Sequence, residues 1–256
     1  MRETPENLRR RHSVRAYDGR PLAPADAEAV NRILSQVSNG YNDLSFRLFV
    51  DNGEPFKSFK RSYGFFKGVA NYIAVTVEQG INDAQERAGF LSQLAVTEFT
   101  RMGLGTCYVA ATFDSKHVDM KIPAGHELLC LITIGYGLEK RETAVSSLIM
   151  KFAHRKSRAA EDFYDSSSGI SLTEATEAFP TLQLGLEGLV SAPSQLNKQP
   201  VRIRAEKDNS GRLTLHAYLS ETYNKVLADL GIAKFNFAAA AGGRWQWGDN
   251  GEYIPE

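Results

Sequence analysis

Arg11-His12-Ser13-Val14-Arg15 packs three potential cations and a hydroxyl into five consecutive positions, shortly before a proline-started amphipathic segment. A dianionic phosphate ester needs charge-assisted donors on more than one oxygen, and the planar fork of a guanidinium supplies them. Taken alone, the run also suits solvated surface, the ordinary fate of a basic N-terminal stretch. Two further stretches give it context: Lys156-Ser157-Arg158, and Pro193-Ser194-Gln195-Leu196-Asn197-Lys198-Gln199-Pro200. Each has a plainer reading too. Lys156 and Arg158 suit the cationic last turn of a helix, and Asn197 suits a turn before a proline.

Working outward from the basic run, the spacing of apolar residues predicts a helix over 24–37, with Val30, Ile33, Leu34 and Val37 on one stripe. Strands are expected at 45–51, where Phe46, Leu48 and Val50 alternate, and at 72–77. A longer helix is expected over 82–102, with Ala84, Ala88, Leu91, Leu94, Ala95 and Met102 on one side, stopped by Gly103 and Gly105. Strands at 107–113 and 128–134 close the first half. The second half repeats the order: a helix over 173–191, strands at 201–205 and 213–218, and a helix over 223–241 ended by Gly242 and Gly243. Residues 161–171, rich in Ser, Asp and Gly, read as the connection. Helices flanking antiparallel-capable strands, without regular strand–helix alternation, predict an α+β fold. Gly103-Leu104-Gly105 ends a helix and so reads as a cap, not a dinucleotide loop.

A hydrophobic fraction of 43% over 256 residues supports a real core, and 30 basic against 30 acidic residues leave no net charge to attract nucleic acid or an anionic membrane. Cys107 and Cys130 sit in apolar contexts and read as reduced, buried thiols. The histidines (His12, His117, His126, His154, His216) lack metal-ligand spacing. No apolar run suffices to span a membrane and no secretory leader is visible, so a cytoplasmic protein is expected. Trp245 and Trp247 are expected to anchor the C-terminus, and Glu98 to be a rim carboxylate.

The chain resembles the nitroreductase family of FMN-dependent flavoproteins. The basic-His-Ser-x-basic run matches at Arg11, His12, Ser13 and Arg15, followed by Tyr17-Asp18 and Pro21-Leu22. The basic-x-Arg element matches at Lys156 and Arg158. The Pro-Ser-x-x-Asn-x-Gln-Pro segment matches at Pro193, Ser194, Asn197, Gln199 and Pro200. Leu104-Gly105-Thr106-Cys107 and Ile134-Gly135-Tyr136-Gly137 are weaker matches. In ordinary members the proline-bounded segment follows the first helix, soon after the basic run. That slot here is Ser38-Asn39-Gly40-Tyr41-Asn42-Asp43-Leu44-Ser45, without the pattern. The resemblance therefore implies a nitroreductase-like fold of two similar halves, with mixed or antiparallel sheets flanked by helices, forming an intramolecular pseudo-dimer. Residues 1–160 would carry the phosphate clamp, 161–171 the connection, and 172–256 an abbreviated half with the flavin-ring loop.

The resemblance also implies roles. Arg11, Ser13, Lys156 and Arg158 would hold the FMN phosphate, His12 would assist, and Arg15 would reach the pyrimidine edge, where positive charge stabilises reduced flavin. Pro193, Ser194 and Asn197 would line the ring. Ala110 and Ala111 would lie near N5, where family members often present glycine or glutamate. No general acid or base is assigned. The implied activity is electron transfer from NAD(P)H through flavin N5 to a nitroaromatic, quinone or similar small acceptor. The alternative is an FMN-binding protein with little or no turnover. Such a chain could work as a monomer, with further oligomerisation left open.

Overall fold

Strands that are apolar on both faces belong in the middle of a sheet, and two segments of the first half have that character. The computed structural model describes residues 2–57, 65–138, 157–222 and 226–256. The chain divides into two compact units, one made of Arg11–Ala84 and Leu94–His154, the other of Met1–Arg10, Gln85–Gln93 and Arg155–Glu256.

In the unit that holds the basic run, helix α1 (Pro24–Ser38) starts on Pro24, carries Asp26 in its first turn, and buries Val30 and Leu34. Strands β1 (Leu44–Phe49), β2 (Tyr72–Glu78), β3 (Gly105–Val109) and β4 (His126–Gly135) form one sheet in the order β1-β2-β4-β3, every pairing antiparallel. The central strands β2 and β4 are buried on both faces over most of their length, so β2 is a core strand. Buried Asn71, just ahead of β2, fastens two segments to it, residues 20–22 and the turn at Asp51. Its Oδ1 accepts from the Leu22 and Asp51 amides at 3.0 and 3.2 Å, and its Nδ2 donates to the Arg20 carbonyl at 3.2 Å. Two expected strands end early. β1 stops at Phe49, since Asp51 turns the chain in the left-handed region at φ 53°, and Val50 is exposed. β3 stops at Val109, where residues 110–113 bend away.

The other unit has a five-stranded sheet of β5 (Tyr164–Asp165), β6 (Val201–Lys207), β7 (Leu213–Leu219), β8 (Arg244–Trp245) and β9 (Gly251–Ile254), in the order β5-β6-β7-β9-β8. Only β5 pairs in parallel. Setting β5 aside, the order β6-β7-β9-β8 repeats β1-β2-β4-β3: first, second, fourth, third. In each unit a helix precedes the first strand and another follows the second. This repeat makes the fold α+β with two similar halves. The helix expected over 173–191 is two, α3 (Leu172–Ala178) and α4 (Leu182–Val190), separated at Pro180, which has no amide hydrogen for a helical bond.

Helix α5 (Val226–Ala241) is buried on nearly every side. Small residues make this possible. A Cβ on Gly185 would sit 2.4 Å from the Phe237 ring, and one on Gly231 would sit 1.8 Å from the Glu86 carbonyl oxygen. Glu86 and Gln93 lie on helix α2 (Ala84–Arg101), whose residues Gln85–Gln93 belong to this unit. Phe237, Trp245 and Tyr253 meet ring to ring at centroid distances of 5.0–5.2 Å. Trp245 therefore anchors the chain end as expected.

The polar groups on α5 are satisfied. Lys234, fully buried, donates to Glu86 Oε1 at 2.6 Å and to the Gln246 and Gly248 carbonyls at 2.9 and 2.8 Å. These acceptors match its three hydrogens. Glu86 Oε2 in turn accepts from the Gly248 amide at 2.6 Å. Asn236 Oδ1 accepts from Gln93 Nε2 at 3.0 Å. Removing one partner of a buried pair strands the other charge, at a cost of about 3–5 kcal/mol. Lys234→Met should therefore lower unfolding stability by about that amount. Urea denaturation followed by far-ultraviolet circular dichroism measures it, and a midpoint within error of the parent would refute the assignment.

Candidate functional site

Residues 11–17 are held by backbone bonds to β3 and to Lys67. The Val14 amide donates to the Thr106 carbonyl at 2.9 Å, and Ser13 bridges Thr106 in parallel at the free side of β3. Further on, the Lys67 amide donates to the Arg15 carbonyl and the Tyr17 amide to the Lys67 carbonyl, at 2.9 and 2.8 Å. Val14 packs onto Gly105 and Gly137, where an added Cβ would fall 2.8 and 3.0 Å from its methyl groups. Arg11, Ser13 and Arg15 share a neighbour.

That sharing is visible at Cys107. Its buried thiol is pushed up by burial, while Arg15, a hydrogen bond with Ser13 and Arg11 pull it down. Burial lowers the Arg11 guanidinium, Tyr108 and Cys107 raise it, and Arg15 adds a like-charge push downward. The Arg15 Nη1 donates to the Ser13 carbonyl at 3.4 Å, and His12 is exposed. Tyr17 braces the segment from behind, its hydroxyl bonded to the Val14 carbonyl at 2.8 Å and to Thr133 Oγ1 at 2.7 Å. Ala110 and Ala111 are exposed in the bend directly after β3. Glu98 pairs with Arg101 one turn on, a surface ion pair.

The remaining site candidates lie in the other unit. Lys156 falls outside the described residues. Residues 191–200 join α4 to β6, the same topological position that residues 39–43 occupy between α1 and β1. The longer loop is built on strained backbone: Leu196, Asn197 and Gln199 all have positive φ, 52°, 49° and 47°. Such conformations cost on the order of 1–3 kcal/mol each and persist only where surroundings enforce them. Here the enforcement is a set of hydrogen bonds. Ser194 Oγ accepts from the Gln199 amide at 2.8 Å, and the Gln195 amide donates to Asp229 Oδ2 at 3.0 Å. Ser194 keeps its own hydroxyl hydrogen for another acceptor. Leu196 stands out at 66% exposure.

Gln199, whose function the motif alone does not disclose, fastens this loop. It is buried, accepts from the Arg158 amide at 2.9 Å and donates to the Val190 carbonyl at 3.2 Å. Arg158 is thus brought to the loop of Pro193, Ser194 and Asn197, as the spacing could not reveal. Each buried backbone group left unsatisfied costs about 1–3 kcal/mol. Gln199→Leu should accordingly destabilise the chain by about 2–4 kcal/mol and speed hydrogen exchange at the Arg158 amide. Exchange there as slow as in the parent would show that this glutamine does not hold the loop.

The model of a family described as "Putative TM nitroreductase" matches residues 3–241. A crystal structure from Thermotoga maritima, described as a "putative nitroreductase", aligns over 99% of this chain and 93% of its own at 20% identity and a TM-score of 0.59. An FMN-dependent nitroreductase from Clostridium difficile R20291 aligns over 58% of this chain and 96% of its own, at 21% identity and a TM-score of 0.44. A nitroreductase with bound FMN from Bacteroides fragilis covers 56% and 92%, at 18% identity and a TM-score of 0.43. No curated protein matches the chain. The likeness to the Thermotoga structure is one of fold, over nearly the whole length of both chains.

Proposed function

The chain belongs to the family described as "Putative TM nitroreductase", and on that premise we propose that it is an FMN-dependent oxidoreductase using NAD(P)H to reduce a nitroaromatic, quinone or similar small acceptor. The observation that carries this reading is the convergence of Arg11, Ser13 and Arg15 on Cys107, in a segment whose Val14 packs onto Gly105 and Gly137. The Arg11 guanidinium and the Ser13 hydroxyl fit a phosphate ester. Arg11, Ser13, Lys156 and Arg158 are the proposed phosphate ligands, with His12 assisting through its backbone or ring. Arg15 is assigned to the pyrimidine edge of the ring.

Pro193, Ser194 and Asn197 are assigned to the ring, Pro193 as a flat apolar surface and Ser194 through the hydroxyl hydrogen that its bond with Gln199 leaves over. Ala110 and Ala111 would supply backbone contacts near N5. When bound, FMN supplies two-electron transfer between a pyridine nucleotide and an acceptor that occupy its exposed face in turn. The protein's part is to orient both partners and limit water. One flavin per chain is proposed, because the loop at 39–43 lacks the residues that the loop at 191–200 offers. The exposed Ala110–Ala111 bend, without side-chain donors, favours a second reading, FMN binding with little turnover.

Purified protein should be yellow and hold about one flavin per chain. A preparation still colourless after incubation with FMN and desalting would sink the proposal. NAD(P)H oxidation no faster than with free FMN would leave only the second reading. Changing Arg11 and Arg158 together to alanine should remove bound flavin, since each charged contact contributes roughly 1.5–3 kcal/mol. Unchanged flavin content by absorbance would place the phosphate elsewhere.

A further inference from the structure

Strand β6 sends Val201, Ile203 and Ala205 into the core and Arg202 and Arg204 to its other face. These two arginines are treated differently. Arg204 has carboxylates on both sides, Glu206 at 2.7 Å and Asp165 at 3.7 Å, and stacks over Tyr218 with 4.8 Å to the ring centroid. Arg202 is half-buried and, among the described residues, has no carboxylate within ion-pairing distance. Its Nη1 donates to the Gln199 and Val201 carbonyls at 2.9 and 2.7 Å. Those bonds fix the guanidinium plane and leave the Nε–Nη2 edge for another acceptor.

Arg158 shares the same anchor. Its amide donates to Gln199 Oε1, while Arg202 holds the backbone carbonyl of that glutamine. The Arg158 guanidinium likewise has no carboxylate at ion-pairing distance among the described residues. Burial first, then Arg158, lowers the Arg202 guanidinium, while Tyr218, Glu221 and Asp162 oppose the shift. The two acids are engaged elsewhere, Glu221 with Lys198 at 3.4 Å and Asp162 with the Ala159 amide at 3.1 Å.

Two neighbouring guanidiniums, neither ion-paired with a carboxylate among the described residues, form a pair of cations suited to one anion. We propose that Arg158 and Arg202 together bind a phosphate ester, with Arg202 as a phosphate ligand that the motifs do not contain. A phosphate fits better than a carboxylate, because its oxygens can engage both forks at once. The identity of the ester rests on the reading above: it is the phosphate of FMN or the 2′-phosphate of NADPH.

The test compares Arg202→Gln with the parent chain and with Arg204→Gln, a change on the same strand face at an already neutralised arginine. Loss of one charged, bidentate contact should weaken binding about tenfold or more. If the anion is the flavin phosphate, Arg202→Gln weakens FMN but not riboflavin binding, measured by fluorescence titration. If it is the nucleotide phosphate, KM rises for NADPH and not for NADH. Arg202→Lys, keeping charge but losing the fork, should fall between. Independently of flavin, pyrophosphate at constant ionic strength should raise the melting temperature of the parent, and Arg202→Gln should abolish that rise. Equal selectivity for FMN over riboflavin and for NADPH over NADH in all variants, with the pyrophosphate shift intact, overturns the inference while leaving the flavin reading standing. A parent that binds no flavin yet shows a pyrophosphate shift lost in Arg202→Gln overturns the flavin reading and keeps the anion site.

Discussion

A buried ammonium must find three acceptors or leave the core, and Lys234 meets that demand with one carboxylate oxygen and two carbonyls. The acceptors come from α2 and from the turn between β8 and β9, so helix and chain end are held to α5 by one group. Close helix approach is the precondition. Gly231 lies against the Glu86 carbonyl and Gly89 against that of Ala228, with no room for a Cβ at either. Small residues set the helix spacing, the spacing lets Lys234 reach, and the reach fixes the short strands that complete the second sheet.

The site candidates in the two units rest on a common device. Backbone bonds hold a segment of non-helical chain in place. Along β3, pairing with Thr106 and packing of Val14 onto two glycines hold the segment that carries Arg11, Ser13 and Arg15. In the loop before β6, a glutamine side chain stands in for a missing strand partner, bonded to one amide and one carbonyl. Strain at three non-glycine positions of the motif, Leu196, Asn197 and Gln199, is sustained by those bonds. No helix among the described residues is long and apolar enough to cross a membrane.

Legibility in the sequence follows from how local the cause is. Helix α1 is readable because Pro24, Val30 and Leu34 act within one segment, and the strands of both hairpins are readable from their apolar runs. Burial of α2 and α5 on several faces is not, because it depends on Glu86 and Gln93 meeting Lys234 and Asn236 far along the chain. β8 and β9 escape notice since Arg244–Trp245 and Gly251–Ile254 are too short and glycine-flanked to show a period. The candidate residues Arg11, Ser13 and Arg158 stand in recognisable motifs. Arg202 could not be singled out, because its character comes from lacking, among the described residues, what Arg204 has, an ion-paired carboxylate.

Repetition of one strand order within a single chain has a consequence for how such a protein can change. In an assembly of identical subunits every substitution is written twice, once in each copy. Here the connection at 39–43 and the connection at 191–200 are encoded separately. One can shorten while the other retains its full complement of polar residues, so inheritance acts on each half alone, and asymmetry that a homodimer is forbidden becomes freely available.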